Sequence, residues 1–169
     1  MQIPIIERRR IEAQLLKIIH DELVTRLGEA AAEEIIAESV RKSAIEQGRQ
    51  FASAEPDGTS MSTFVKLYDL WTMNDALEID VLHQDAERFA FNVTRCRYAE
   101  MYREMGLGQI GHLLSCNRDG TFCQGYDPNI KLERSQTIMR GASHCDFRYR
   151  YEHQPPAEVR DATAEDGDQ

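Results

Sequence analysis

The side chains able to do covalent or acid–base chemistry crowd into the stretch from Phe89 to Tyr149. It holds all four cysteines, Cys96, Cys116, Cys123 and Cys145, with His112, His144 and Asp119 among them. A thiol attacks or ligates as its thiolate, so position decides its use. Cys96 stands where a strand pattern hands over to a helical one. The N–H groups of a helix start, with Arg95 and Arg97 beside it, favour ionisation there; the bland reading is a small buried hydrophobe. Cys116 ends a helical run, where the dipole has the opposite sign, so a nucleophile there needs a base. His112, four residues earlier on one helix face, and Asp119 are the candidates. Cys145 follows His144, but strand neighbours point to opposite faces, so adjacency makes no Cys–His pair.

Cys96, Cys116 and Cys145 with a carboxylate could instead surround a metal. The spacings carry no metal signature, and Cys116 to Cys123 is not C-x-x-C. No cofactor is predicted; a divalent metal is the alternative. Cys123 lies in a polar stretch and reads as incidental. Arg134, Arg140, Arg148 and Arg150 crowd the end of the chain. A guanidinium facing a pocket suits a carboxylate ligand, whereas pairing with Glu133, Asp146 or Glu152 on the surface is the alternative.

The elements that position these residues follow from periodicity. Ile11, Leu15, Ile18, Ile19, Leu23 and Leu27 mark a helix over 5–27, ended by Gly28. Ala32, Ile35, Ile36, Val40, Ala44 and Phe51 mark a second from Glu29 to about Ala52, antiparallel to the first. After the turn Glu55–Gly58, Ser60 or Ser62 caps a third helix to about Met73, apolar round most of its circumference and hence buried. Trp71 there reads as core. From Leu77 the period becomes two, and a hairpin turns at Gln84–Glu87. Its second strand directs Phe89, Phe91 and Val93 to the helices and Asn92, Thr94 and Cys96 to the other face. Helical spacing returns at Tyr98–Met105 and again at Ile110–Cys116. Asn117–Gly120 reads as a turn leading into a polar loop to about Lys131. Strands over 134–140 and 144–151, joined at Gly141–Ser143, form a second hairpin.

The expected fold is α+β, with N-terminal helices packed on one face of an antiparallel sheet made of two β-hairpins separated by short helices. One domain spans 1–152: a helical pair at 5–53, a buried helix at 59–74, and the sheet and site region at 77–152. Residues 153–169 form a disordered acidic tail. A net charge of −9 argues against nucleic acid and membrane surfaces as partners. The one basic run, Arg8–Arg10, reads as a solvated helix face. Without a secretory signal the expected location is cytoplasmic, where thiols stay reduced. The apolar third helix makes a homodimer or higher homo-oligomer the expected assembly.

Four blocks between Asn92 and Arg148 resemble the L-2-amino-thiazoline-4-carboxylic acid hydrolase family. They are FNVTRCRYAEMY with Cys96, GHLLSCNRDG with Cys116 and Asp119, RSQTIMRG with Arg134 and Thr137, and CDFRYR with Cys145 and Arg148. The resemblance implies hydrolytic opening of a carboxylated cyclic amidine, the thiazoline giving N-carbamoyl-L-cysteine. In that reaction water adds to the ring carbon between nitrogen and sulfur. Asp119 would serve as base or orient His112, Cys116 or Cys96 would act as proton donor or nucleophile, and Cys145 would share the site. Arg134 or Arg148 would hold the carboxylate. Asn92 and Thr94 would hydrogen-bond the amidine, with Thr137 also in the binding set. The glycine turn before C-x-F also resembles ligand-sensing domains of the 4-vinyl reductase type, some of which hold a metal through cysteines. The second reading is therefore a non-catalytic small-molecule or metal sensor.

Overall fold

The computed structural model describes residues 3–153; the expected tail lies, beyond His153, outside the described residues. Helix α1 (Ile5–Leu27) ends at Gly28, whose φ of 86° suits glycine, and α2 (Glu29–Ser53) follows at once. The face α1 buries carries Ile5, Ile6, Arg9 and Ala13. Most of the apolar stripe that marked this helix in the sequence points the other way: Ile11, Leu15 and Ile18 are 58%, 62% and 64% exposed, while Leu23 packs against the core. Periodicity locates an apolar face but not what covers it. Helix α3 (Met61–Thr72) starts at Ser60 in a reciprocal cap with Thr63 and buries Met61, Phe64 and Tyr68.

Strands β1 (Leu77–Gln84) and β2 (Arg88–Cys96) form the expected hairpin. Helix α4 (Arg97–Glu104) follows. One π-helical turn, His112–Cys116, then runs directly into α5 (Asn117–Tyr126). The turn and polar loop expected after Cys116 are thus a helix. Arg118, Thr121, Phe122 and Tyr126 recur at helical spacing and are buried, and that burial outweighs the turn-forming character of Asn-Arg-Asp-Gly. Cys123 is buried within α5, not exposed on a loop.

The strand expected over 134–140 is also displaced. Strand β3 is Ile130–Glu133; residues 134–137 are irregular, and Ile138–Arg140 form a 3₁₀ turn capped by Thr137 and closed by Gly141 at φ 94°. Strand β4 is Cys145–Tyr151. The sheet order is β1-β2-β4-β3, antiparallel throughout, so the two strand pairs join through β2 and β4. The architecture is α+β, with helices mainly N-terminal.

The inward face of the sheet is aromatic. Phe89, Phe91, Phe147 and Tyr149 pack with one another and with Phe64 and Tyr68 of α3 in edge, tilted and stacked pairs, and the buried Tyr68 and Tyr149 hydroxyls satisfy each other at 3.0 Å. Helices α2 and α5 meet at backbone distance. A Cβ at Gly125 would strike the Ile45 carbonyl, and one at Gly48 the Phe122 carbonyl. Gly125→Ala should therefore lower unfolding stability by about 2–3 kcal/mol in denaturant titrations, as overpacking does. A change under 0.5 kcal/mol would show that the helices separate freely.

Candidate functional site

Four short elements deliver the reactive groups to one place. Cys96 ends β2, Cys116 closes the π-helical turn, Asp119 lies in the first turn of α5, and Cys145 opens β4. With Arg134 and Trp71 they line an enclosed hollow of about 50 Å³. Its walls draw on both apolar clusters, Ile5, Tyr98 and Met139 from one, Val93 and Phe147 from the other. Cys96 faces inward, against expectation. Val93 pairs with Ile79 and Arg95 with Glu78, so Thr94 is an extra residue on β2. That bulge reverses the alternation beyond it and carries Cys96 round to the helices' side.

Arg134 is the centre of the constellation. Nη1 donates to Asp119 Oδ2 at 2.5 Å, Nη2 donates to the Cys116 carbonyl at 3.0 Å, and the guanidinium lies 4.8 Å from the Phe147 ring centroid. Burial raises the Asp119 pKa above the ordinary carboxylate value, against the pull of Arg134. Asp119 in turn holds Arg134 charged although burial opposes it. Burial pushes the Cys96 and Cys116 thiols up to about 12, and the nearby Asp119 charge adds to this. Cys145 is raised by the same cause, while its sulfur accepts the Ile138 N–H at 3.2 Å. Desolvation thus outweighs the helix-start effect at Cys96, and the thiols stay protonated at neutral pH.

Outside this hollow is an open groove of about 360 Å³, lined by His112, Ser135, Gln136, Thr137 and Arg140, together with Cys116 and Arg134. Cys116 and Arg134 line both spaces and form the wall between them. Burial and the Arg140 charge lower the His112 pKa, favouring its neutral form. His112 thus shares the groove with Cys116, while Asp119 is hydrogen-bonded to Arg134 rather than to His112.

Asp146 ties down the segment that carries Arg134. Its carboxylate accepts from the backbone N–H of Ser135 and of Gln136 at 3.0 and 2.8 Å and from the Ser135 hydroxyl at 2.6 Å. Burial opposes its ionisation, but these hydrogen bonds prevail and hold its pKa at about 2. The folded state therefore favours the ionised form. The resulting stability is fully present above the unfolded value, about 3.9, and is lost as pH falls from there towards 2. Asp146→Asn should flatten this part of the acid-unfolding curve; an unchanged curve would remove Asp146 as the anchor.

Three expected binding residues lie elsewhere. Asn92 and Thr94 alternate outward from Phe91 and Val93 on β2. Arg148, between buried Phe147 and Tyr149, donates to Asn92 Oδ1 at 3.0 Å and to the Phe91 carbonyl. Strand alternation puts all three on the sheet's outer face, away from the thiols, so the hollow offers them no substrate contact. The metal alternative also lacks its geometry: among the described residues no three His, Cys, Asp or Glu side chains are arranged to hold a metal ion.

The basic run expected to be a solvated face is split: Arg8 is exposed, but Arg9 turns inward with the buried face of α1 and joins Arg118 in a cationic back wall. Arg9 and Arg118, both buried, share Glu12 at 2.8 and 3.2 Å, and Arg9 also reaches Gln47 at 2.9 Å. Burial and the neighbouring Arg9 lower the Arg118 pKa to about 10. Both arginines line the hollow. The available signal was the register of Arg9 with Ile5, Ile6 and Ala13, one turn apart on a single face.

Among solved structures, the chain is similar to the phenol-responsive sensory domain of the transcription activator PoxR with phenol. The TM-score is 0.52 at 14% identity, over 82% of this chain and 73% of that one, a likeness of fold. A trafficking protein particle complex subunit 3 from Naegleria fowleri, covalently bound to palmitic acid, aligns at TM-score 0.46 and 13% identity over 85% of this chain and 97% of that one. No curated protein matches the chain. The sequence pattern of one family runs through the helices, the thiols and the arginine segment alike, from residue 8 to residue 149, and the chain belongs to that family, the L-2-amino-thiazoline-4-carboxylic acid hydrolases.

Proposed function

We propose that the protein is a hydrolase that opens a small carboxylated cyclic amidine, 2-amino-thiazoline-4-carboxylate or a related ring. The observation that carries this reading is the convergence of Asp119, Arg134, Cys96, Cys116 and Cys145 on one hollow beside an open groove. The hollow has room for one or two waters; the groove is of ligand size. The ring therefore docks in the groove against the Cys116–Arg134 wall, and the attacking water comes from the hollow. Arg134 uses two N–H groups on Asp119 and Cys116 and has others for the ring carboxylate.

Asp119 takes a proton from water as the water oxygen bonds to the carbon between nitrogen and sulfur. Its raised pKa makes it a stronger base than an exposed carboxylate. Asp119 passes that proton on to the ring nitrogen, and the new tetrahedral carbon collapses. The carbon–sulfur bond breaks, the sulfur leaves with the remaining hydroxyl proton, and a urea is left, N-carbamoyl-cysteine from the thiazoline. The protonated Cys116 thiol, on the shared wall, hydrogen-bonds the ring sulfur, while Cys96 and Cys145 line the hollow; none serves as a standing thiolate nucleophile.

A non-catalytic small-molecule receptor is the second reading. Its support is the likeness in fold to a phenol-responsive domain and the closed hollow. A turnover screen of heterocyclic carboxylates, with product mass measured and run with and without chelator, separates the two. The hydrolase reading expects products heavier by one water, independent of chelator. Saturable binding of a ring without any product would establish the receptor instead.

A further inference from the structure

We infer that the outer face of α1 is a docking surface for a second copy of this chain, packed antiparallel across a two-fold axis near Leu15. The residues Arg8, Ile11, Leu15, Ile18 and Glu22 follow one another at intervals of three, four, three and four, the spacing of a helix–helix seam. All five are exposed. Ile11, Leu15 and Ile18 are each more than half exposed, and Ile19 beside them is 39% exposed. No described part of the chain covers them; the buried face of α1 is the opposite one, through Ile6, Arg9 and Ala13. Scattered apolar side chains on a surface need no explanation, but a contiguous row along one helix marks an interface.

The pattern itself identifies the occupant. The seam is basic at its start, apolar in its middle and acidic at its end. Turned over on itself about Leu15, it sets Arg8 of one copy against Glu22 of the other at both ends. Ile11 meets Ile18 and Ile19, and Leu15 meets its own symmetry mate. A two-fold contact must be complementary to itself in this way. A parallel pairing would instead oppose Arg8 to Arg8 and Glu22 to Glu22. The 23-residue helix offers a line of contact about 35 Å long. The surface lies on the opposite face of α1 from the side that lines the hollow, so docking leaves the groove open.

Sedimentation of the 169-residue chain over a range of concentrations tests this. The wild type is expected to be a dimer at micromolar concentration. Leu15→Glu should give a monomer with an unchanged circular dichroism spectrum, since Leu15 makes no core contact. Arg8→Glu and Glu22→Arg should each raise the dimer dissociation constant at least tenfold, and R8E with E22R in one chain should restore it. A wild type that stays monomeric, a dimer that survives L15E, or a charge-swapped pair no tighter than its single parents would each overturn the inference.

Discussion

Asp119→Asn is expected to lower kcat for ring opening by about 10²–10⁴-fold, the usual worth of a positioned general base. The substitution preserves shape and removes the carboxylate that would accept the proton from water. It also leaves Arg134 half-buried without its counter-charge, a loss of about 3 kcal/mol in stability where a buried pair loses one partner. Kinetics therefore belong at a temperature where circular dichroism shows the variant folded. The wild type should carry a matching signature in kcat/KM. Burial raises the Asp119 pKa, so activity should fall on the acid side with an inflection above the ordinary carboxylate value of about 3.9. D119N activity within threefold of wild type would exclude Asp119 as the base.

Arg134→Ala should cost about 10²–10³-fold in kcat/KM, or roughly 3–4 kcal/mol, within the range for truncating one partner of a buried charge pair. The loss should fall mainly on KM for a carboxylated ring. It should be much smaller for the corresponding uncharged amide, which gives a guanidinium nothing to neutralise. Arg134→Lys should recover little, because an ammonium cannot keep the contacts to Asp119 and the Cys116 carbonyl while presenting a fork to substrate. Equal losses for acid and amide would mean that Arg134 supports the fold rather than the ligand.

The sequence and the structure agree best where periodicity was strong. The ends of α1, the Ser60 cap, the first hairpin and the last strand could all be read from the order of apolar and polar residues. Reading failed where context overrode local character. Asn117–Gly120 has the composition of a turn, yet it continues a helix because Thr121, Phe122 and Tyr126 are buried behind it. Ser135 to Met139 alternates like a strand, yet Asp146 gathers its first amides into a loop, and that loop points Arg134 at Asp119. For the site, the blocks carrying Cys96, Cys116, Asp119, Arg134 and Cys145 lead to one hollow. Asn92, Thr94 and Arg148 share those blocks but not that face, because a strand alternates. The inward turn of Cys96 depends on one bulged residue, which no periodic pattern records. Arg9 read as part of a solvated basic face and Arg118 as part of a turn, yet both are buried; a charged residue on an apolar face looks like noise until its partner, Glu12, is located.

The most direct test of the proposed hydrolytic site is a crystal structure of the D119N variant soaked with 2-amino-thiazoline-4-carboxylate. The expected result is an intact ring in the groove, its carboxylate on Arg134 and its carbon between nitrogen and sulfur turned towards position 119. A ring bound on the outer face of the sheet, against Asn92 and Arg148, would contradict it.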